Sequence, residues 1–203
     1  MFTAADDQFE HIDPDRNLDT NSNQCTYYTI DEFNLKFSNN TGKYLLLNQN
    51  IQSFKSKQPL LEAFLESISP SFHAIVLTET WNEKKFLNLC KLDDFNVVHT
   101  YRDFPDRVTQ GTVGGGVSVF ANSSIYDLQK IETLSVCNLT IETCVARVFR
   151  KDNIRSEHFI VGVYRPHTDS IDNFIHALQE ILSNNLLNNK TVILAGDMNI
   201  LTF

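Results

Sequence analysis

The spacing of apolar residues changes several times along the chain, and each spacing predicts an element. Residues 1–40 show no sustained apolar period and are rich in Asp, Asn, Ser and Thr, which predicts a flexible leader or loosely attached extension ahead of a domain that starts near Thr41-Gly42. Residues 43–51 open with the run Tyr44-Leu45-Leu46-Leu47, as expected of a strand buried on both faces. Leu60, Leu61, Phe64, Leu65 and Ile68 then recur at helical spacing, with Glu62, Glu66 and Ser67 on the other face. Pro59 is expected in the first turn of that helix and Pro70 beyond its end. Residues 73–78 read as a second buried strand, reached through the helix as in a βαβ crossover.

From Phe95 onward the period shortens to that of strands, predicted over residues 95–101, 117–122, 140–150 and 158–164. Lys151-Asp152-Asn153 makes a hairpin turn within this meander. Ile171, Phe174, Ile175, Leu178, Ile181 and Leu182 predict a second amphipathic helix, with Ser170 and Asp172 at its positive end. Residues 190–195 supply one more buried strand. The order β-α-β, meander, α-β predicts two sheets covered by helices.

Composition narrows the class. The chain has 203 residues, 42% hydrophobic and 21% charged, which suits one globular domain and excludes a collagenous or wholly disordered protein. Its net charge of −8 speaks against a polybasic arm for nucleic acid or membrane, although residues 1–40 hold 8 acidic and 2 basic side chains and leave the rest nearly neutral. The longest aliphatic runs fall far short of the ~20 apolar residues that cross a bilayer. The first residues lack the basic start and apolar core of a secretory signal, so an intracellular chain without membrane contact is expected. Cys25, Cys90, Cys137 and Cys144 form no C-x-x-C pair, which disfavours zinc and predicts reduced thiols.

Polar residues gather just past the apolar strands, where α/β folds collect ligands. They are Asn48-Gln49-Asn50-Ile51-Gln52-Ser53, Thr78-Glu79-Thr80-Trp81, Tyr164-Arg165-Pro166-His167 and Gly196-Asp197-Met198-Asn199. Singly, each has a structural explanation as a turn residue, a solvated edge or a helix cap. Jointly, a carboxylate and a carboxamide oxygen at two strand ends make a hard-oxygen set suited to magnesium or manganese. A second Asp and Asn nearby can then orient water and phosphate, which is the requirement of phosphodiester hydrolysis. Residues 111–116 are glycine-rich but lack the Gly-Lys-Ser/Thr ending of a phosphate loop. Lys43, Arg102 and Arg107 are candidates for contact with DNA phosphates.

Five segments, Asn50-Ile51-Gln52-Ser53-Phe54, Thr78-Glu79-Thr80-Trp81, Gly114-Gly115-Gly116-Val117, Val163-Tyr164-Arg165-Pro166 and Gly196-Asp197-Met198-Asn199, carry a resemblance. In order and rough spacing they resemble the endonuclease/exonuclease/phosphatase superfamily, most of all the apurinic-type endonuclease domain of non-LTR retrotransposons. The resemblance covers residues 43–203. It implies an α/β fold, a deoxyribonuclease I-like two-sheet sandwich incomplete at its C-terminus, and a DNA-nicking hydrolase that uses Mg2+ or Mn2+. Carried over by position, it makes Glu79 the direct metal ligand with Asn50 beside it. Asp197 becomes the water-activating carboxylate, Asn199 the phosphate-orienting amide, Tyr164 the tyrosine that reaches the scissile phosphate and His167 a substrate contact. It also implies DNA as partner, a reverse transcriptase domain in full-length relatives, and a nuclear setting for action on chromosomal DNA.

Two departures refine the expectation. Gln52 stands where apurinic repair enzymes carry an acid, which favours retroelement nicking over repair. The family's terminal Ser-Asp-His motif does not occur in the 203 residues, so residues 41–203 are expected to form a partial domain, weakly active or inactive as it stands. Two alternatives stay open: a phosphoinositide or nucleotide phosphodiesterase of the same fold, and a non-catalytic remnant or binding module.

Overall fold

The computed structural model describes residues 26–38, 42–82, 90–101, 114–153 and 155–200. Sheet A takes β1 (Leu46–Asn50), β2 (Ala74–Thr78), β3 (Phe95–Thr100) and β4 (Val117–Asn122) in the order β1-β2-β4-β3. Sheet B takes β5 (Tyr126–Lys130), β6 (Glu142–Arg150), β7 (Glu157–Tyr164) and β8 (Val192–Asp197) in chain order. The pairs β1–β2 and β7–β8 are parallel and the remaining pairs antiparallel. Parallel neighbours need long crossovers, and these contain the helices α2 (Phe54–Ser67) and α3 (Ile171–Leu182). The architecture is an α/β sandwich of two mixed sheets with flanking helices.

Period-two alternation decides what each strand buries. Ala74 and Val76 of β2 and Val117, Val119 and Ala121 of β4 face Cys144, Ala146 and Val148 of β6 and Ile160 of β7 across the sandwich. The intervening residues Ile75, Leu77 and Phe120 point outward and are covered by Phe54 and Leu61 of α2. On sheet B, Val145, Val161 and Val163 are covered in the same way by Phe174 and Ile181 of α3. A Cβ at Gly162 would come within 2.8 Å of Val117 Cγ1, so this glycine permits the close approach of the two sheets.

Several expectations change. The strands over 43–51 and 190–195 are not buried on both faces: β1 and β8 are edge strands, with Asn48, Gln49 and Leu194 exposed, because each has a neighbour on one side only among the described residues. Helix α2 begins at Phe54, so Pro59 sits inside it rather than in its first turn; it lies on the exposed side, where the missing backbone bond is least costly. Leu60, counted on the apolar face, is 67% exposed. The meander is divided between sheets: β3 and β4 belong to A, and the unanticipated β5 starts the run β5-β6-β7 in B. Within the segment read as a leader, α1 (Ile30–Phe37) is capped at Thr29 and docked. Asn34 Nδ2 donates to the Ser67 carbonyl and Asn34 Oδ1 accepts from Ser69 N–H, both at 2.8 Å, while Phe33 meets Phe72. The expectation for residues 1–25 lies outside the described residues. No helix among those described is long and apolar enough to cross a membrane.

Candidate active site

Both parallel pairs end on the same side of the sandwich, and their last residues meet across it. Asn50 Nδ2 donates to Glu79 Oε1 at 2.9 Å and to Asp197 Oδ2 at 2.8 Å, joining the ends of β1, β2 and β8. The Tyr164 hydroxyl, from the end of β7, donates to Glu79 Oε1 at 3.1 Å. Asn199 donates its main-chain N–H to Asp197 Oδ1 at 3.1 Å, and Asn48 Nδ2 donates to the Gly196 carbonyl at 3.0 Å. Residues far apart in sequence thus form one hydrogen-bonded cluster.

The backbone around this cluster is held in unusual conformations. Gln52, Ser53, Glu79, Trp81 and Asn199 all have positive φ, at 46°, 84°, 52°, 54° and 47°. Such residues persist only where the surroundings over-determine them. Here the loops interlock: Ser53 N–H donates to the Glu79 carbonyl and Phe54 N–H to the Thr80 carbonyl, both at 2.9 Å. On the other side, Thr80 N–H donates to the Gly116 carbonyl at 3.2 Å and Trp81 N–H to the Gly115 carbonyl at 2.9 Å.

The charge arrangement is suited to a cation. Glu79 and Asp197 share one amide donor, so their bonded oxygens lie within about 6 Å of each other and repel. Asn50 turns its nitrogen toward them, and its Oδ1 is buried without a hydrogen-bond partner among the described residues. An orphaned buried acceptor requires an explanation, and a hard cation taking that oxygen with the Glu79 carboxylate provides one. Among the described residues no group of three or more His, Cys, Asp or Glu could hold a metal ion, so a site here would rest on the Glu79 carboxylate and the Asn50 amide oxygen. The residues present fit Mg2+ or Mn2+.

Five of the residues predicted from sequence, Asn50, Glu79, Tyr164, Asp197 and Asn199, are brought together. Asn199 Nδ2 donates to the Arg165 carbonyl at 2.8 Å, and the buried Arg165 returns a bond from its guanidinium to the Asn199 carbonyl at 2.9 Å, fixing the two strand-end turns to each other. His167 is exposed in the following turn, and no hydrogen bond joins it to the cluster among the described residues. Lys43 lies at the start of β1 rather than its end, 5.7 Å from the Phe37 ring, which removes it from this region. Arg102 and Arg107 lie outside the described residues, as does Cys25. Among the described residues no disulfide joins Cys90, Cys137 and Cys144, and burial pushes the Cys144 thiol up to about 11. The sequence reading missed Glu142, fully buried at the start of β6 in register with Tyr164.

This two-sheet sandwich shares the fold of endonuclease/exonuclease/phosphatase proteins. The human Nocturnin catalytic domain with bound sulfate anion is similar to it with a TM-score of 0.53 and 13% identity, covering 77% of this chain and 64% of that one. D. rerio TDP2 complexed with single-strand DNA product gives 0.55 and 12%, covering 79% and 62%. The endonuclease domain of TRAS1, a telomere-specific non-LTR retrotransposon, gives 0.51 and 14%, covering 78% and 62%. The chain spans less than two thirds of the length of each of these three. No family model and no curated protein matches its sequence. At these identities the likeness is one of fold.

Proposed function

We propose that the chain is a divalent-metal-dependent phosphodiesterase acting on DNA, the nicking portion of a retrotransposon-derived protein. The observation that carries this reading is Asn50 at the parallel-strand ends, whose Nδ2 donates to the Glu79 and Asp197 carboxylates while its buried Oδ1 has no hydrogen-bond partner among the described residues. Glu79, with Asn50 Oδ1 beside it, would hold Mg2+ or Mn2+. When bound, the ion neutralises phosphate charge and acts as a Lewis acid on the phosphoryl oxygen. Asp197 takes the proton of the attacking water, its carboxylate aimed by Asn50 Nδ2 and the Asn199 N–H. Tyr164 offers its hydroxyl to the phosphate as negative charge develops, and Asn199 offers the second hydrogen of its amide. His167, exposed beside the Arg165 turn, touches the substrate flank. DNA as substrate is supported by the TRAS1 neighbour being an endonuclease domain and by TDP2 being complexed with a DNA product. The attached reverse transcriptase and the nuclear setting follow from the motif resemblance.

The test is conversion of supercoiled plasmid to open circles by the 203-residue chain, in Mg2+ and in excess chelator, beside Glu79→Ala. The expected rate is low, because no Ser-Asp-His sequence is present, and it should vanish with chelator and in the variant. Mn2+ binding, read from quenching of Trp81 emission, is the companion measurement and should be lost in Glu79→Ala. Nicking that survives Glu79→Ala, or a chain that binds no divalent ion, overturns the proposal.

A further inference from the structure

We infer that Glu142 is a positioning residue for Glu79, acting through the glycine-rich entry to β4; the inference rests on the reading of Glu79 as metal ligand. Glu142 is fully buried and stands opposite Tyr164, which stands opposite Asp197 on the next strand. Directly opposed residues share a face of a sheet, so the three form one row on the side of sheet B that looks toward sheet A. A carboxylate buried to this extent is rare unless its charge is met by donors. Glu142 Oε2 accepts the main-chain N–H of Gly116.

That bond is the first link of a chain leading to the metal-site loop. Gly115 and Gly116, at φ 82° and 88°, have a backbone that side-chain-bearing residues adopt only under strain, so the path of this segment depends on what tethers it. Their carbonyls accept the N–H groups of Trp81 and Thr80, the two residues after Glu79. The contact is tight: a Cβ on Gly116 would fall 2.7 Å from Thr80 Oγ1. Glu79 and Trp81, both at positive φ, depend on such external bonds to stay in place. Glu142 therefore fastens the segment that holds the main chain of Thr80 and Trp81, next to Glu79, without touching metal or substrate.

The experiment compares amide exchange and Trp81 quenching by acrylamide in the wild-type chain, Glu142→Gln and Glu142→Leu. Trp81 is the chain's single tryptophan, so its emission reports this loop alone. Gln keeps the length with a neutral acceptor; Leu keeps much of the volume with none. Exchange at the Gly116 and Trp81 amides, and Trp81 quenching, should rise from wild type to Gln to Leu, while the Asn199 amide stays as protected as in wild type. Mn2+ affinity should fall about 10-fold or more in Glu142→Leu and less in Glu142→Gln. Exchange needs neither metal nor DNA, so it decides the inference even if the chain cleaves nothing, whereas a wild type that fails to bind Mn2+ overturns only the functional reading. If Glu142→Leu does not fold, the isosteric Gln variant decides alone. Unchanged exchange at Gly116 and Trp81 in Glu142→Gln, or acceleration spread evenly over sheet B, overturns the inference.

Discussion

The two ends of the sandwich are joined by opposite kinds of contact. At the ends of the parallel strands, Asn50, Glu79, Tyr164 and Asp197 bridge the sheets through polar bonds, with two carboxylates on one donor and an acceptor left over. At the other end, Tyr44 and His73, just ahead of β1 and β2, meet Tyr126 of β5 and His158 of β7. Tyr44 stacks on His73 and meets His158 edge-on, both at 5.0 Å, and Tyr126 meets His158 at 5.9 Å. The polar tips there are matched: His158 Nε2 pairs with the Tyr44 hydroxyl at 2.9 Å, and His73 Nδ1 accepts Leu45 N–H at 3.0 Å. Burial holds both imidazoles below their ordinary pKa and the Tyr44 hydroxyl above its own, so the cluster is neutral. One end holds the sheets together; the other keeps unsatisfied groups in place at the expense of stability, as functional sites commonly do.

The contrast predicts opposite responses to truncation. The largest effect is expected for Asp197→Ala, which should lower metal-dependent hydrolysis about 1000-fold, the upper range for losing one preorganised catalytic group. The urea midpoint should hold or rise, because the repulsion between Asp197 and Glu79 is relieved. A loss of stability beyond about 1 kcal/mol in that variant would break the comparison at its polar end. Tyr44→Ala should do the reverse, lowering unfolding free energy by about 3 kcal/mol as the ring cluster opens. Hydrolysis per folded molecule should stay at the wild-type level, as read by nicking at matched concentrations of native protein.

The polar end was more legible in sequence than the fold that carries it. Asn50, Glu79, Tyr164 and Asp197 each follow an apolar run, and strand ends are where a linear reading can look for a site. Glu142 sits in the mixed stretch Thr140-Ile141-Glu142-Thr143 and reads as a solvated strand start; only its pairing with Tyr164 turns it inward. Edge position is likewise a property of neighbours, so Tyr44-Leu45-Leu46-Leu47 and Val192-Ile193-Leu194 suggested more burial than β1 and β8 have. The first turns of α2 were hidden by Lys55-Ser56-Lys57-Gln58, whose polar side chains face out while Phe54 anchors the start. For α1 a local signal did exist: Thr29 and Glu32 form a capping box, with Thr29 Oγ1 accepting Glu32 N–H and Glu32 accepting Thr29 N–H.

Between pH 7.5 and 5, acid acts on stability through partly buried histidines. His99 on β3 faces Ser118 Oγ at 2.8 Å, and burial, with repulsion from Lys130, pushes its pKa down to about 4. The unfolded chain, with an ordinary histidine near 6.5, binds more protons between those values, so stability must fall as pH drops through that window. His73 and His158 contribute with the same sign. Between pH 7.5 and 5, His99 alone accounts for about 2 kcal/mol, at roughly 1.4 kcal/mol per unit. Urea unfolding at the two pH values measures this, and His99→Gln should flatten the slope by that amount. A slope unchanged in His99→Gln would place the acid sensitivity elsewhere.

The smallest expected effect separates ring packing from hydrogen bonding at the aromatic end. Tyr44→Phe keeps the stack on His73 and the edge contact with His158 but removes the hydroxyl that His158 Nε2 meets. A net hydrogen bond of this kind contributes about 1 kcal/mol, and the partly buried imidazole nitrogen then lacks its partner. The loss should therefore be near a third of that in Tyr44→Ala, with nicking again unchanged. If ring packing is what joins the sheets here, Phe and Ala differ by the remaining two thirds. A Phe variant as unstable as the Ala variant would mean that both ends of the sandwich depend on polar bridges, and that the aromatic rings only fill the space around one of them.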